Sequence, residues 1–231
     1  MIVNINLDEI EKWINEAWEK VAKEINKSRW VQWTEAAAIT YPLYHHLERL
    51  GGKHNINLEI AVVPQFRFTI PGHAECGDKK HYEGYERKKG ERDVNYDLAI
   101  VRFEEPIPTA DESQERPYCS LWCFKPRPLV LFEAKYVEDL KSKDFVEGFA
   151  KDFKKLEKAF DWTNNSLQRA YLCIVYMESE GGLSKEIVPR SSEPKLDRIR
   201  VAEIVCEKKD GHYRPYIQPY KEWCKIHFGG E

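Results

Sequence analysis

The sequence predicts one mixed α/β domain with its elements in the order ααβββαββ. Three observations carry that reading. Apolar residues recur at helical spacing over 8–27 and 143–160. Short apolar runs rich in β-branched and aromatic residues recur at 94–103, 129–136, 169–177 and 198–207. Only the connection from the third strand to the fourth, which spans the 143–160 helix, has the length of a parallel crossover.

The first helix, 8–27, carries Ile10, Trp13, Ile14, Ala17, Val21 and Ile25 on one stripe. Asp8 is the expected N-cap, with Glu11 at the capping-box position. A second helix is expected from Thr34 to Leu50, ended by Gly51-Gly52, and Pro42 must kink it or start a new segment. NLEIAVVPQFRFTI (57–70) reads as a strand whose Pro64 demands an edge position or a bulge. A polar connection, 71–93, leads to the strand VNYDLAIVRF (94–103). A Pro-rich loop (105–128) precedes LVLFEAKY (129–136). The 143–160 helix buries Phe145, Phe149, Phe153, Leu156 and Phe160, and RAYLCIVYM (169–177) and RIRVAEIVCE (198–207) complete the strands.

Bulk properties limit what such a chain does. It has 231 residues, 42% hydrophobic and 13% aromatic, enough for a substantial core and too much for a disordered chain. A net charge of −3 argues against coating nucleic acid by bulk charge, though not against a local basic groove. The N-terminal stretch lacks the pattern of a signal peptide, and no run reaches the about 18 apolar residues of a membrane span. A cytoplasmic, membrane-free protein is therefore expected, its six cysteines reading as free thiols. His73 and Cys76 with Cys119 and Cys123 form only a weak zinc pattern, because their two loops fall at opposite ends of the strand meander.

The chemistry lies in LVLFEAKY. Alternation places Leu129, Leu131, Glu133 and Lys135 on one face, apolar at its start and ionic at its end. On the preceding strand Asn95, Asp97, Ala99 and Val101 share a face with the opposite polarity. Antiparallel pairing then brings Asp97, Glu133 and Lys135 to one rim of the sheet, open to metal, water and substrate. Adjacent carboxylates raise one another's pKa unless a cation lies between them, and Mg²⁺ is the natural occupant of an oxygen-rich site. A nearby lysine stabilises charge developing on phosphorus. Glu-x-Lys occurs four times, at 86/88, 133/135, 193/195 and 207/209, but only 133/135 ends an apolar strand with an acid on the strand before it. The competing reading is an ion pair without catalysis.

Helix, hairpin, Asp in NYDLAI, Glu-x-Lys in LVLFEAKY, the helix DFVEGFAKDFKKLEKAF and the strand RAYLCIVYM together resemble the PD-(D/E)XK nuclease superfamily, the restriction-endonuclease-like fold. The resemblance covers about residues 30–180, leaving helix 8–27 and the 198–231 region as additions to a single domain. One departure is that no proline precedes Asp97. The resemblance implies an αβββαβ core with a central mixed sheet flanked by helices, and Mg²⁺- or Mn²⁺-dependent cleavage of nucleic acid, DNA in the first instance. It makes Asp97 and Glu133 metal ligands and sets Lys135 beside the attacking water. A further acid from the first core helix would be Glu35, with Glu59 as its competitor. Lys79, Lys80, Arg87 and Lys88 of the 71–93 loop are the expected nucleic-acid contacts, with Lys155 of the later helix; solvated loop and helix charges are the plain alternative. A homodimer is compatible with the reading. Two other functions stay open: a catalytically silent domain of this fold serving as a binding or assembly subunit, and a hydrolase of small phosphorylated substrates.

Overall fold

The computed structural model describes residues 6–28, 36–53, 60–69, 93–103, 126–137, 143–163, 166–177, 194–207 and 209–228. They form a six-stranded mixed sheet between two layers of helices. The strands are β1 (Ile60–Thr69), β2 (Asp93–Phe103), β3 (Pro126–Val137), β4 (Arg169–Met177), β5 (Ile199–Cys206) and β6 (Tyr213–Pro219), and they lie side by side in chain order. β1, β2 and β3 form an antiparallel meander; β3, β4 and β5 are parallel, so the β4-to-β5 connection is a second crossover where one was expected; β6 closes the sheet antiparallel to β5.

Helices α1 (Leu7–Lys27) and α2 (Tyr41–Lys53) cover one face, and α3 (Lys143–Trp162) and α4 (Tyr220–Phe228) the other. The α1 stripe is buried as its spacing requires, with Trp18 added, whose indole donates to the Glu203 carbonyl. The cap is Asn6 rather than Asp8: Asn6 Oδ1 accepts from the Asp8 amide. Glu11 is drawn instead to Arg169 on β4, at 2.6 Å. Pro42 marks a change of helix type: a π-helical turn, Ala36–Thr40, runs without interruption into α2, whose second residue is Pro42. Gly51-Gly52 does not end α2, which runs on to Lys53.

β1 is an edge strand, as Pro64 demands, and the next residue, Gln65, adopts φ 51°. A bulge at Leu129 (Ile100 faces Val130 while Val101 faces Pro128) turns Leu129 away from Leu131, Glu133 and Lys135, into the α1/α2 core. The expected four-residue face is thus a three-residue face.

β6 and α4 were not expected from the sequence. Two prolines argue against a strand, yet β6 is the other edge, where alternate amides need no ladder partner. Its first residue is bracketed by the Asn26 side chain, which donates to the Tyr213 carbonyl and accepts from its amide, both at 2.8 Å. α4 is fixed by Trp223, fully buried and stacked on Phe149 of α3. Among the described residues no helix is long and apolar enough to cross a membrane, and Cys173, Cys206 and Cys224 are free thiols.

Candidate functional site

The β2–β3 ladder stops at Leu98 opposite Phe132. Beyond it, Asp97 Oδ2 accepts a 2.8 Å hydrogen bond from the Ala134 amide. A side chain thus takes an amide that a continuing ladder would have used. The packing changes here as well: Leu98 and Ile100 belong to the α1/α2 core, whereas Tyr96 belongs to the α3/α4 core with Phe66 of β1. Gln65, with its left-handed backbone, sits between the paired positions Pro64 and Phe66, facing the segment that holds Asp97. The sheet is therefore distorted where Asp97 meets β3.

Glu133 projects toward α3 and is 2% exposed. Its Oε2 lies 2.6 Å from Lys155 Nζ of α3, whereas Oε1 is buried without a hydrogen-bond partner among the described residues. Burial pushes the Glu133 carboxyl well above the usual range; the Asp97 and Asp152 carboxylates add to the rise, and Lys155 opposes it. Lys135 Nζ is 2.9 Å from Asp152 Oδ2, also on α3. Lys155 donates to the Asn95 carbonyl at 2.9 Å, lies 3.9 Å from Asp152 Oδ1, and sits over the Tyr96 ring, 5.3 Å from its centroid. One turn before Asp152, Gly148 leaves room for the Lys135 stem: a Cβ there would lie 3.5 Å from Lys135 Cε.

The antiparallel β2–β3 pairing carries Asp97 to the Ala134 amide beside Glu133, at the point where the face of β2 reverses, and α3 links Glu133 and Lys135 through Lys155 and Asp152. The open rim does not hold at Glu133 itself, which is buried; partial exposure begins with the side chains of Lys135 and Lys155. Lys155 is no solvated helix charge. Glu35, Glu59, Lys79, Lys80, Arg87 and Lys88 lie outside the described residues, as do His73, Cys76, Cys119 and Cys123. Asp152 borders the apolar stripe of α3, where an acid ordinarily meets solvent; it is instead buried against Lys135.

No family model, no curated protein and no solved structure matches the chain. The chain carries its own internal comparison for Glu133. Glu203, on β5, is a second glutamate inside an apolar strand, 4% exposed. It faces the same layer two strands from Lys135, in the row Lys135, Ile174, Glu203. Both its oxygens are satisfied: Oε2 by Tyr176 at 2.8 Å and Trp223 at 3.0 Å, Oε1 by Gln218 at 2.9 Å. His227 lies 3.3 Å from Oε2. That is how a buried structural carboxylate is housed. Glu133 differs on each count, with one oxygen unpaired and two more carboxylates close enough to raise its pKa.

The donor set suits a hard divalent cation. Oxygen ligands with surplus negative charge match Mg²⁺ or Mn²⁺, and Mg²⁺ commonly takes only one or two carboxylates, completing its shell with water and substrate phosphate. Among the described residues no three His, Cys, Asp or Glu side chains are grouped as a metal cluster. Asp97 and Glu133 make a pair.

Proposed function

We propose that the chain is a divalent-metal-dependent nuclease of the restriction-endonuclease-like type, hydrolysing phosphodiester bonds of nucleic acid, with DNA as the first substrate to test. The observation that carries the reading is the unpaired, buried Oε1 of Glu133 beside the Asp97 and Asp152 charges. Burying polar oxygen without a partner costs about 1–3 kcal/mol, more for a charged group, so a cation taken up at Oε1 would recover that cost. Asp97 and Glu133 would hold the ion. When bound, it polarises a phosphoryl oxygen and lowers the pKa of a coordinated water.

The chain's own residues supply the rest. Lys135 carries a positive charge at the partly exposed end of β3, where it stabilises negative charge developing on phosphorus. Asp152 holds that ammonium, and Lys155 holds Glu133. The six-stranded order supports the reading too, since an antiparallel β1–β2–β3 meander followed by a helical crossover to parallel β4 is the arrangement the resemblance implies.

A catalytically silent domain is the second reading. It is favoured by the internal pairing of both lysines, which compensates Glu133 and Asp152 within the chain and leaves only the Asp97 charge over. Incubation of purified protein with plasmid DNA and Mg²⁺ or Mn²⁺ decides between them. Cleavage is expected, lost in Glu133→Ala and in Lys135→Ala while circular dichroism stays unchanged. Cleavage that survives Asp97→Ala/Glu133→Ala refutes the assignment, and wild-type protein that binds neither ion supports the silent domain.

A further inference from the structure

The α3 sequence Asp152-Phe-Lys-Lys155 offers an acid and a base one helical turn apart, and the β3 sequence Glu133-Ala-Lys135 offers an acid and a base two residues apart on one strand face. The two pairs meet with charges crossed. Lys155 takes Glu133 at 2.6 Å, Asp152 takes Lys135 at 2.9 Å, and Asp152 and Lys155 are linked at 3.9 Å. Lys155 also reaches the Asn95 carbonyl of β2, two residues before Asp97. It therefore ties the strand of one proposed ligand to the side chain of the other, in the region where the β2–β3 ladder has already ended at Leu98 and Phe132. Because Lys155 occupies Oε2 and leaves Oε1 unpaired, it fixes which oxygen of Glu133 is offered.

We infer that Asp152 and Lys155 are positioning residues with separate tasks: Lys155 sets the Glu133 carboxylate and the β2–β3 gap for the metal ion, and Asp152 aims Lys135 at the substrate phosphate. This rests on the nuclease reading. The alternative is that the Lys155 ammonium occupies the cation position itself and must be displaced by the ion. The two make opposite predictions for the same variant, because a positioning lysine aids metal uptake and a place-holding one hinders it.

The test is Mn²⁺ binding by titration calorimetry, set beside cleavage rate, on wild-type protein, Lys155→Met, Lys155→Arg and Asp152→Asn. Partners that orient metal ligands typically account for about 10- to 100-fold in metal affinity. Lys155→Met is expected to lose Mn²⁺ affinity by that factor, and Lys155→Arg to keep it within about threefold, since Arg can still donate to the same oxygens. Asp152→Asn is expected to bind Mn²⁺ as wild type does and to lose about tenfold or more in turnover with little change in KM, as displaced catalytic groups do. A merely structural pair would lower melting temperature and leave the affinity of the folded fraction untouched, which overturns the inference. Tighter Mn²⁺ binding by Lys155→Met overturns it in favour of the place-holder and leaves the nuclease reading standing. Wild-type protein that takes up no Mn²⁺ overturns both. Should Lys155→Met fail to fold, Lys155→Gln is read in the same way against Lys155→Arg.

Discussion

Gly148 offers a sharp test of how α3 meets β3. Glycine inside a helix costs roughly 0.5–1 kcal/mol relative to alanine, through the backbone freedom it surrenders. At Gly148 the compensating use is space: a Cβ would sit 3.5 Å from Lys135 Cε, an ordinary van der Waals distance. Gly148→Ala therefore removes the helix penalty without moving Lys135. It should raise the melting temperature by about 1–4 °C, taking about 2–4 °C per kcal/mol for a domain of this size. Cleavage should be unchanged. Gly148→Leu sends further carbons along the same vector, into the Lys135 stem. Overpacking of this kind costs about 1–3 kcal/mol. The cheapest relief is to swing Lys135 away from Asp152, breaking the 2.9 Å pair. That variant should melt up to about 10 °C lower on the same scale and lose most of its turnover, yet keep its Mn²⁺ affinity. The assay is a thermal melt by circular dichroism beside plasmid cleavage and Mn²⁺ titration. A destabilised Gly148→Ala, or a Gly148→Leu that cleaves like wild type, would refute the packing argument.

Three further outcomes follow from the same geometry. Burial raises the Glu133 pKa, so its contribution to stability is fully present below the ordinary glutamate range and is lost as pH climbs through the raised value. In metal-free buffer Glu133→Gln should therefore gain on wild type as pH rises from 4 to 8, and a difference in melting temperature that stays constant with pH would dispose of the idea. Glu203→Leu removes both oxygens to which the Tyr176 hydroxyl, Trp223 indole and Gln218 amide donate. The buried indole is then left without an acceptor, so about 1–3 kcal/mol should be lost, or about 2–12 °C in melting temperature; a melt within 1 °C of wild type counts against the network. Gln65→Gly should be neutral or stabilising by up to about 1 kcal/mol, because the left-handed region costs most side chains roughly 1–2 kcal/mol. Gln65→Val should lose that much or more in a urea melt, and equal midpoints for the two would show that Gln65 bears no strain.

The sequence made β1 to β5 legible as strands, because period-2 and period-3.6 patterns carry over directly into faces. It did not reveal the second parallel pairing, β4 with β5, because the segment between them shows no helical stripe. β6 and α4 stayed hidden because the edge position that excuses Pro215 and Pro219 is a property of topology, and nothing local announces it. The face reversals near Leu129 and Asp97 were hidden for a related reason. One bulged residue flips the parity of all that follows, and neither the Leu129 bulge nor the Gln65 conformation has a glycine to mark it.

The limits of reading charge in a strand are clearest in the pair Glu133 and Glu203. FEAKY and AEIVC carry the same local signal, an acid among apolar strand residues, and both acids are buried. What separates them is the census of donors brought by distant elements. β4, β6 and α4 bring Glu203 a hydroxyl, an amide and an indole, enough to satisfy both oxygens. α3 brings Glu133 one ammonium and another carboxylate, and β2 brings a further acid. An acid on the preceding strand was the part of that difference visible in the sequence, because neighbouring strands of a hairpin pair in a register their alternation fixes. The helix contribution was not visible, since Asp152 and Lys155 flank the α3 stripe, where the rotation of the helix over the sheet decides between solvent and burial. The chemistry of the site therefore depends on the register of α3 over β3, which is why the variants at Gly148, Asp152 and Lys155 probe it more directly than removal of Glu133 itself.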